Sequence, residues 1–146
     1  EGEYDIIIVN HVIEHFTDLL GSMKAIIEHL KPGGLMYIGV PNIDNYSLQQ
    51  LQNAHVYYFT PQTFKFFMSQ CGLRNIKFGP AQKIHMYGIF EFSTQDLDIS
   101  ILKSEPKRIM KIIRKAQFKE GLGRILDKVG IKGLVKSVMK NFLSDK

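Results

Sequence analysis

Three residues near the amino end are the first that could do chemistry. His11, Glu14 and His15 form the pattern H-x-x-E-H. On a helix, spacings of three and four residues bring side chains onto one face, so the three groups are expected together. Two imidazoles and a carboxylate are competent ligands for a divalent metal. In the first turns after Asn10 they would sit where the helix dipole disfavours a protonated imidazole. Three roles are open to them. They can cap and solvate a helix start. His15, or the more distant His55, can act as a general base toward a substrate hydroxyl, since an imidazole titrates near neutrality. Or His11, Glu14, His15 and His55 can jointly hold a metal ion.

The elements that must position these groups follow from the apolar pattern. Tyr4 to Val9 (YDIIIV) is short, continuous and β-branched, which predicts a strand buried on both faces, as in a parallel sheet. Asn10 reads as a helix cap. Apolar residues then recur with a helical period from Val12 to Leu30, with room for a break near Thr17-Asp18 or Gly21. Lys31-Pro32-Gly33-Gly34 is a turn, Leu35 to Val40 a second strand, and Pro41-Asn42 its stop. Thr60-Pro61 opens a helix whose apolar face is Phe64, Phe67 and Met68 and which ends at Cys71-Gly72. Leu73 to Phe78 and Ile84 to Phe92 predict two further strands. In sheets of this kind ligands bind beyond the carboxyl ends of the strands. Those ends are Val9-Asn10-His11 and Val40-Pro41-Asn42.

The 146 residues suffice for one domain with an appendage. Ten Phe and six Tyr can fill a core. Cys71, the one cysteine, excludes an intrachain disulfide, suits a reducing compartment and reads as a packed residue at a helix end rather than a nucleophile. No apolar run nears the roughly 18 residues of a membrane span, and the acidic start EGEYD speaks against a cleavable signal. A cytoplasmic protein is expected, with peripheral contact at the inner membrane surface as an option. The net charge of +5 is unevenly spread: residues 1–92 hold six Lys/Arg and eight Asp/Glu, a net of −2, whereas residues 93–146 hold thirteen and six, a net of +7. A boundary is placed at about 93–105. It separates a first unit, 1–92, from a basic amphipathic tail, 93–146.

In the tail, Ile109, Ile112 and Ile113, then Leu122, Ile125, Leu126 and Val129, then Leu134, Val135, Val138, Met139 and Phe142 recur at helical spacings. Gly121, Gly123, Gly130 and Gly133 interrupt them, which predicts several short amphipathic helices over 105–143. The stripe is expected to pack on the domain or a partner chain, or to lie on an anionic membrane surface. Nucleic acid is the poorest fit, because no aromatic platform interleaves with the charges.

YDIIIVNHVIEHF, LKPGGLMYIGVPN and HVYYFTPQTFKFFMSQCGL, in this order and spacing, resemble the class I S-adenosylmethionine-dependent methyltransferases of the small-molecule O-methyltransferase type. The likeness covers about residues 4–92. It implies an α/β fold: a partial Rossmann-like sheet made of the family's strands four to seven, followed here by the helical tail. It implies S-adenosylmethionine as cofactor, with Asn10 and His11 at its methionine end. It also implies a substrate-covering segment from Ile43 to Phe59, in which Tyr46, Tyr57 and Tyr58, with Gln49 and Gln50, meet a sugar or ring. Branches of the family with E-x-x-E-H at this place bind a divalent metal, and His11 stands where they have the first Glu. In one branch a later His completes the site, at a place similar to His55. The family's glycine-rich cofactor loop and ribose-binding acid have no counterpart. The expected activity is therefore methyl transfer to a hydroxyl of a small molecule, such as a sugar or lipid-linked intermediate, with this chain inactive by itself. The expected partners are a second copy or a missing amino-terminal half. The rival reading is a non-catalytic assembly module built on the first strand's edge and the basic tail.

Overall fold

The computed structural model describes residues 3–45, 54–82, 84–93 and 102–130. Four strands form one sheet: β1 (Tyr4–Asn10), β2 (Leu30–Pro41), β3 (Leu73–Gln82) and β4 (His85–Phe92), in the order β1-β2-β4-β3. β1 and β2 run parallel, joined through α1 (Leu19–Ile27). β4 returns antiparallel to both β2 and β3. The strand-helix-strand-helix-strand-strand order predicted from the apolar pattern is the order observed.

Two local expectations are corrected. Asn10 does not cap a helix; it ends β1, paired with Gly39. His11 follows in a left-handed conformation, φ 55°, and a single 3-10 turn covers Ile13–His15. The helix starts only at Leu19, because Asp18 supplies the cap, its Oδ1 accepting from the Gly21 amide at 3.0 Å. Lys31-Pro32-Gly33-Gly34 does not separate two elements either. β1 advances from Tyr4 to Ile6 while β2 advances from Leu30 to Leu35, so the turn is looped out within β2. Gly33 takes the positive φ, 77°, that such a turn needs.

α2 (Pro61–Gln70) begins as predicted. Thr60 Oγ1 accepts from the Thr63 amide while Thr63 Oγ1 accepts from the Thr60 amide, a reciprocal cap. Its Phe64 and Met68 join Leu19, Met23 and Ile27 of α1 over Met36, Ile38, Val40 and Phe90 of the sheet. Each such side chain stabilises by about 1.5–3 kcal/mol on burial. The other face of the sheet differs from expectation. Ile6 and Ile8 are 62% and 70% exposed, so β1 is buried on one face only among the described residues.

α3 (Glu105–Lys128) is one continuous helix through Gly121 and Gly123, where short ones are expected; of the predicted 105–143 stretch, residues 131–143 lie outside the described residues. Each mid-helix glycine costs about 1 kcal/mol, which the surrounding Lys, Arg, Leu and Glu helix formers outweigh. The helix is pinned at its start. Glu105, 4% exposed, accepts from Thr60 Oγ1 at 2.6 Å and twice from Arg108, which also donates to Asp44 at 2.7 Å. This double donation from the guanidinium holds the Glu105 carboxyl below its ordinary range, against the opposing effect of burial. The same partnership raises the Arg108 pKa.

Candidate functional site

The carboxyl ends of β1 and β2 gather four of the chain's five histidines around one carboxylate. β1 ends at Asn10, whose side chain lies over Gly39 on the neighbouring strand. A Cβ at Gly39 would stand 2.2 Å from Asn10 Oδ1. The His11 amide donates to the Gly39 carbonyl at 2.9 Å, which holds His11 in its left-handed conformation. Strain of that kind in a non-glycine residue is kept where the surroundings over-determine it. His11 Nδ1 reaches Glu14 Oε1 at 3.2 Å.

Glu14 is the centre of the cluster. Its side chain is buried, and Oε2 has no hydrogen-bond partner. Its main-chain carbonyl accepts from the amides of Val56 and Tyr57 at 2.8 and 3.1 Å. Those two bonds bring the 54–59 segment against the 3-10 turn and set His55 beside His15, ring centroids 4.8 Å apart. His15 Nδ1 donates to the Ala54 carbonyl at 2.9 Å, so in the neutral ring Nε2 is left as a free acceptor, 4.0 Å from Glu14 Oε1. His55 Nδ1 is buried without a partner. Glu14, His15 and His55 thus each offer an atom within 4.8 Å of the others.

On the far side of His11 stands His85, the first residue of β4, in edge contact at 4.3 Å. Burial and the neighbouring His11 lower its pKa, against the pull of Glu14. Asn10, His11, Tyr37, Ala81 and His85 line a polar cleft of about 460 Å³.

The residues singled out in the sequence divide accordingly. His11, Glu14, His15 and His55 are brought together, but not on one helical face. A strand end, a 3-10 turn and a distant loop assemble them. Within the group, His11 touches the carboxylate from the side of the cleft, whereas Glu14, His15 and His55 converge on one another. Asn10 and His11 line the cleft at the carboxyl end of β1. Tyr58 lies edge-on to His55 at 5.9 Å, while Tyr57 packs against the core and stacks near Phe59. Tyr46, Gln49 and Gln50 lie outside the described residues. Cys71 is buried, which pushes its thiol up to about 11, as befits a packed residue. Sequence reasoning passes over His85. Its only signal was that a strand antiparallel to β2 must begin where β2 ends, which puts His85 beside Pro41.

A metal ion imposes its own spacing on such a donor set. Zinc ligands at roughly 2.0–2.1 Å in tetrahedral geometry stand about 3–3.5 Å apart. The Glu14, His15 and His55 atoms, within 4.8 Å of one another, would reach that after a contraction of roughly 1.3–1.8 Å. The partnerless Glu14 Oε2 and His55 Nδ1 suit it, as does an Nδ1–H to carbonyl bond that turns His15 Nε2 outward. These residues fit a divalent ion.

The methyltransferase domain family matches residues 1–77, more than half of the chain, and the chain belongs to that family. Solved structures share the fold. The 1,6-didemethyltoxoflavin-N1-methyltransferase of Burkholderia thailandensis, solved with 1,6-didemethyltoxoflavin and S-adenosylhomocysteine, superposes with a TM-score of 0.53 at 12% identity, over 64% of this chain and 45% of that one. For the mitomycin 7-O-methyltransferase the values are 0.54, 14%, 63% and 30%. For human N-acetylserotonin methyltransferase in complex with S-adenosylmethionine they are 0.51, 20%, 64% and 31%. The chain spans less than half the length of each. No curated protein matches the sequence.

Proposed function

We propose that this chain forms the carboxyl-terminal part of a methyltransferase that transfers the methyl group of S-adenosylmethionine to a hydroxyl of a small molecule, a sugar or lipid-linked intermediate. The observation that carries the reading is the posture of His15. Its Nδ1 proton is held by Ala54, and its Nε2 is a half-exposed acceptor at the carboxyl end of the sheet. That is the form a general base needs.

When bound, the cofactor supplies a methyl group on a positively charged sulfur. The chain's own side chains do the rest. Asn10 and His11 hold the methionine end in the polar cleft. His15 Nε2 would take the proton of the substrate hydroxyl, while the methyl carbon's bond to sulfur breaks and leaves its electron pair on sulfur. His55 and Tyr58 form the wall against which the substrate hydroxyl is oriented, and orientation supplies a large share of such catalysis. In the metal-bound variant of this reading, Glu14, His15 and His55 would hold a divalent ion, which would supply a Lewis acid for the hydroxyl instead. The buried, partnerless oxygen of Glu14 favours it.

The open face of β1 supports a further part of the proposal: the chain acts joined to a segment that covers Ile6 and Ile8 and supplies a glycine-rich cofactor loop, which the sequence lacks. In the complete domain, His15→Ala is expected to lower turnover by about 100-fold or more while the cofactor dissociation constant stays within about twofold. Unchanged turnover in that variant overturns the reading. The rival reading, an assembly module without catalysis, rests on the same exposed β1 face and gains if the complete domain shows no methyl transfer.

A further inference from the structure

The unbroken course of α3 rearranges the apolar stripe that its sequence suggests. At 3.6 residues per turn, Ile109, Ile112, Ile113 and Ala116 fall on one side, and all four are partly buried. Phe118, Leu122, Ile125 and Val129 fall on the opposite side, at spacings of four, three and four. They are 74%, 46%, 59% and 63% exposed. The apolar face thus changes sides near residue 117, and its second part stands exposed among the described residues.

Charge is sorted about that second part. Lys111 and Lys115 lie along the same side of the helix, with Lys119 beside them. Glu120 and Asp127 project from the opposite side. α3 carries eight Lys/Arg and three Asp/Glu between Glu105 and Lys128. The exposed stripe is therefore framed by cations and free of acids. A second copy is a poor occupant, because a self-complementary interface would bring these lysines against their own counterparts. An anionic lipid headgroup layer meets both requirements: the apolar stripe enters the interface and the flanking lysines pair with headgroups.

We infer that the carboxyl half of α3 is a membrane-surface contact that seats this chain on anionic lipid through Phe118, Leu122, Ile125 and Val129. The Glu105–Arg108–Asp44 network fixes the start of the helix, so a docked α3 holds the sheet at a set orientation to the lipid. The inference concerns α3 alone and stands whether or not the histidine site is catalytic.

The test is sedimentation of the 146-residue chain with vesicles of phosphatidylglycerol and phosphatidylcholine in equal parts, beside vesicles of phosphatidylcholine alone. The chain is expected to pellet with the mixed vesicles at about 0.01 M salt. It should be released at about 1 M, as the screening length falls from roughly 30 to roughly 3 Å. Leu122→Asp with Ile125→Asp should abolish pelleting while circular dichroism shows the helix retained. Lys111→Gln, Lys115→Gln and Lys119→Gln together should weaken it by about tenfold or more. The inference fails if the chain stays in the supernatant at low salt. It fails equally if it binds phosphatidylcholine as well as the mixture, or if the aspartate pair binds as wild type. Self-association that the aspartate pair removes, without vesicle binding, would assign the stripe to a second copy.

Discussion

His15 Nδ1 donates to the carbonyl of Ala54, a residue 39 positions along the chain, and this one bond decides which nitrogen of His15 is available for chemistry. The carbonyl can only accept, so the proton stays on Nδ1 and the lone pair on Nε2. The same loop delivers His55, through the bonds from Val56 and Tyr57 to the Glu14 carbonyl. General base and metal ligand are both served by this arrangement.

Metal binding separates the two. Titration of the chain with zinc or manganese in a calorimeter should show one site. Glu14→Gln and His55→Gln should each weaken it by about tenfold or more, and His11→Gln by less, because His11 touches Glu14 but stands outside the converging trio. Saturation at about 100 times the dissociation constant would add about 2.7 kcal/mol of stability. EDTA would remove it, with Tm falling by several degrees. No heat of binding, and a Tm indifferent to EDTA, would leave His15 as a metal-free base.

Two glycines test site against scaffold. A Cβ at Gly39 would clash with the tip of the Asn10 side chain, which can swing away, and would stand in ordinary contact with Tyr37. Gly39→Ala should therefore leave Tm nearly unchanged while displacing Asn10 from the cleft and weakening cofactor binding in the complete domain. A Cβ at Gly88 would stand 2.4 Å from the ring of Phe90, which is fully buried and locked among Phe64 and the sheet. Gly88→Ala should cost about 1–3 kcal/mol through overpacking. Thermal melts of both variants check the pair, and equal losses would contradict the distinction.

The strand and helix order was legible because apolar runs and the Thr60-Pro61 start are local signals. The site was legible in its members but not in its form. H-x-x-E-H has the spacing of a helical face, yet Asp18, three residues after the motif ends, is the residue that caps, so the histidines fall before the helix. His85 was illegible because it arrives by the antiparallel return of β4, a non-local event. Glu105 falls, by sequence pattern alone, at the edge of the boundary segment. Its burial depends on Thr60 and Arg108, and no periodicity records a contact 45 residues away.

That contact gives α3 an acid limit. The folded-state pKa of Glu105 is depressed, chiefly by Arg108. A depressed carboxylate contributes stability that is complete above its unfolded pKa, roughly 4.3, and that is lost as pH falls through the folded value. Stability should therefore be flat with respect to this group from neutrality to about pH 5 and decline below about pH 4. Glu105→Gln should cost about 1–3 kcal/mol at neutral pH, since it removes a charged hydrogen-bonding partner from a buried site. It should also flatten the acid decline. Urea melts across that range, followed by helix content, read both effects. An acid limb identical in wild type and variant would show that Glu105 does not set it.

The exposed face of β1 makes the last expectation. Ile8 is 70% exposed, so Ile8→Lys removes little burial from the chain itself, and its Tm should stay within about 2 °C of wild type, the scale expected for a surface change. Association is another matter. A β-branched strand with one open edge pairs readily with further strands, and Ile6, Ile8 and Leu35 continue the apolar surface away from that edge. Covering Ile6 and Ile8 would contribute on the order of 1–2 kcal/mol each at the usual area coefficient, in addition to the main-chain bonds gained along β1. A lysine at position 8 would have to lose its hydration or leave the contact, and its partner chain would leave with it. Light scattering of the chain at rising concentration should show association for wild type that Ile8→Lys suppresses. A wild-type chain that stays monomeric throughout, with Ile8→Lys indistinguishable from it, would mean that this face needs no cover.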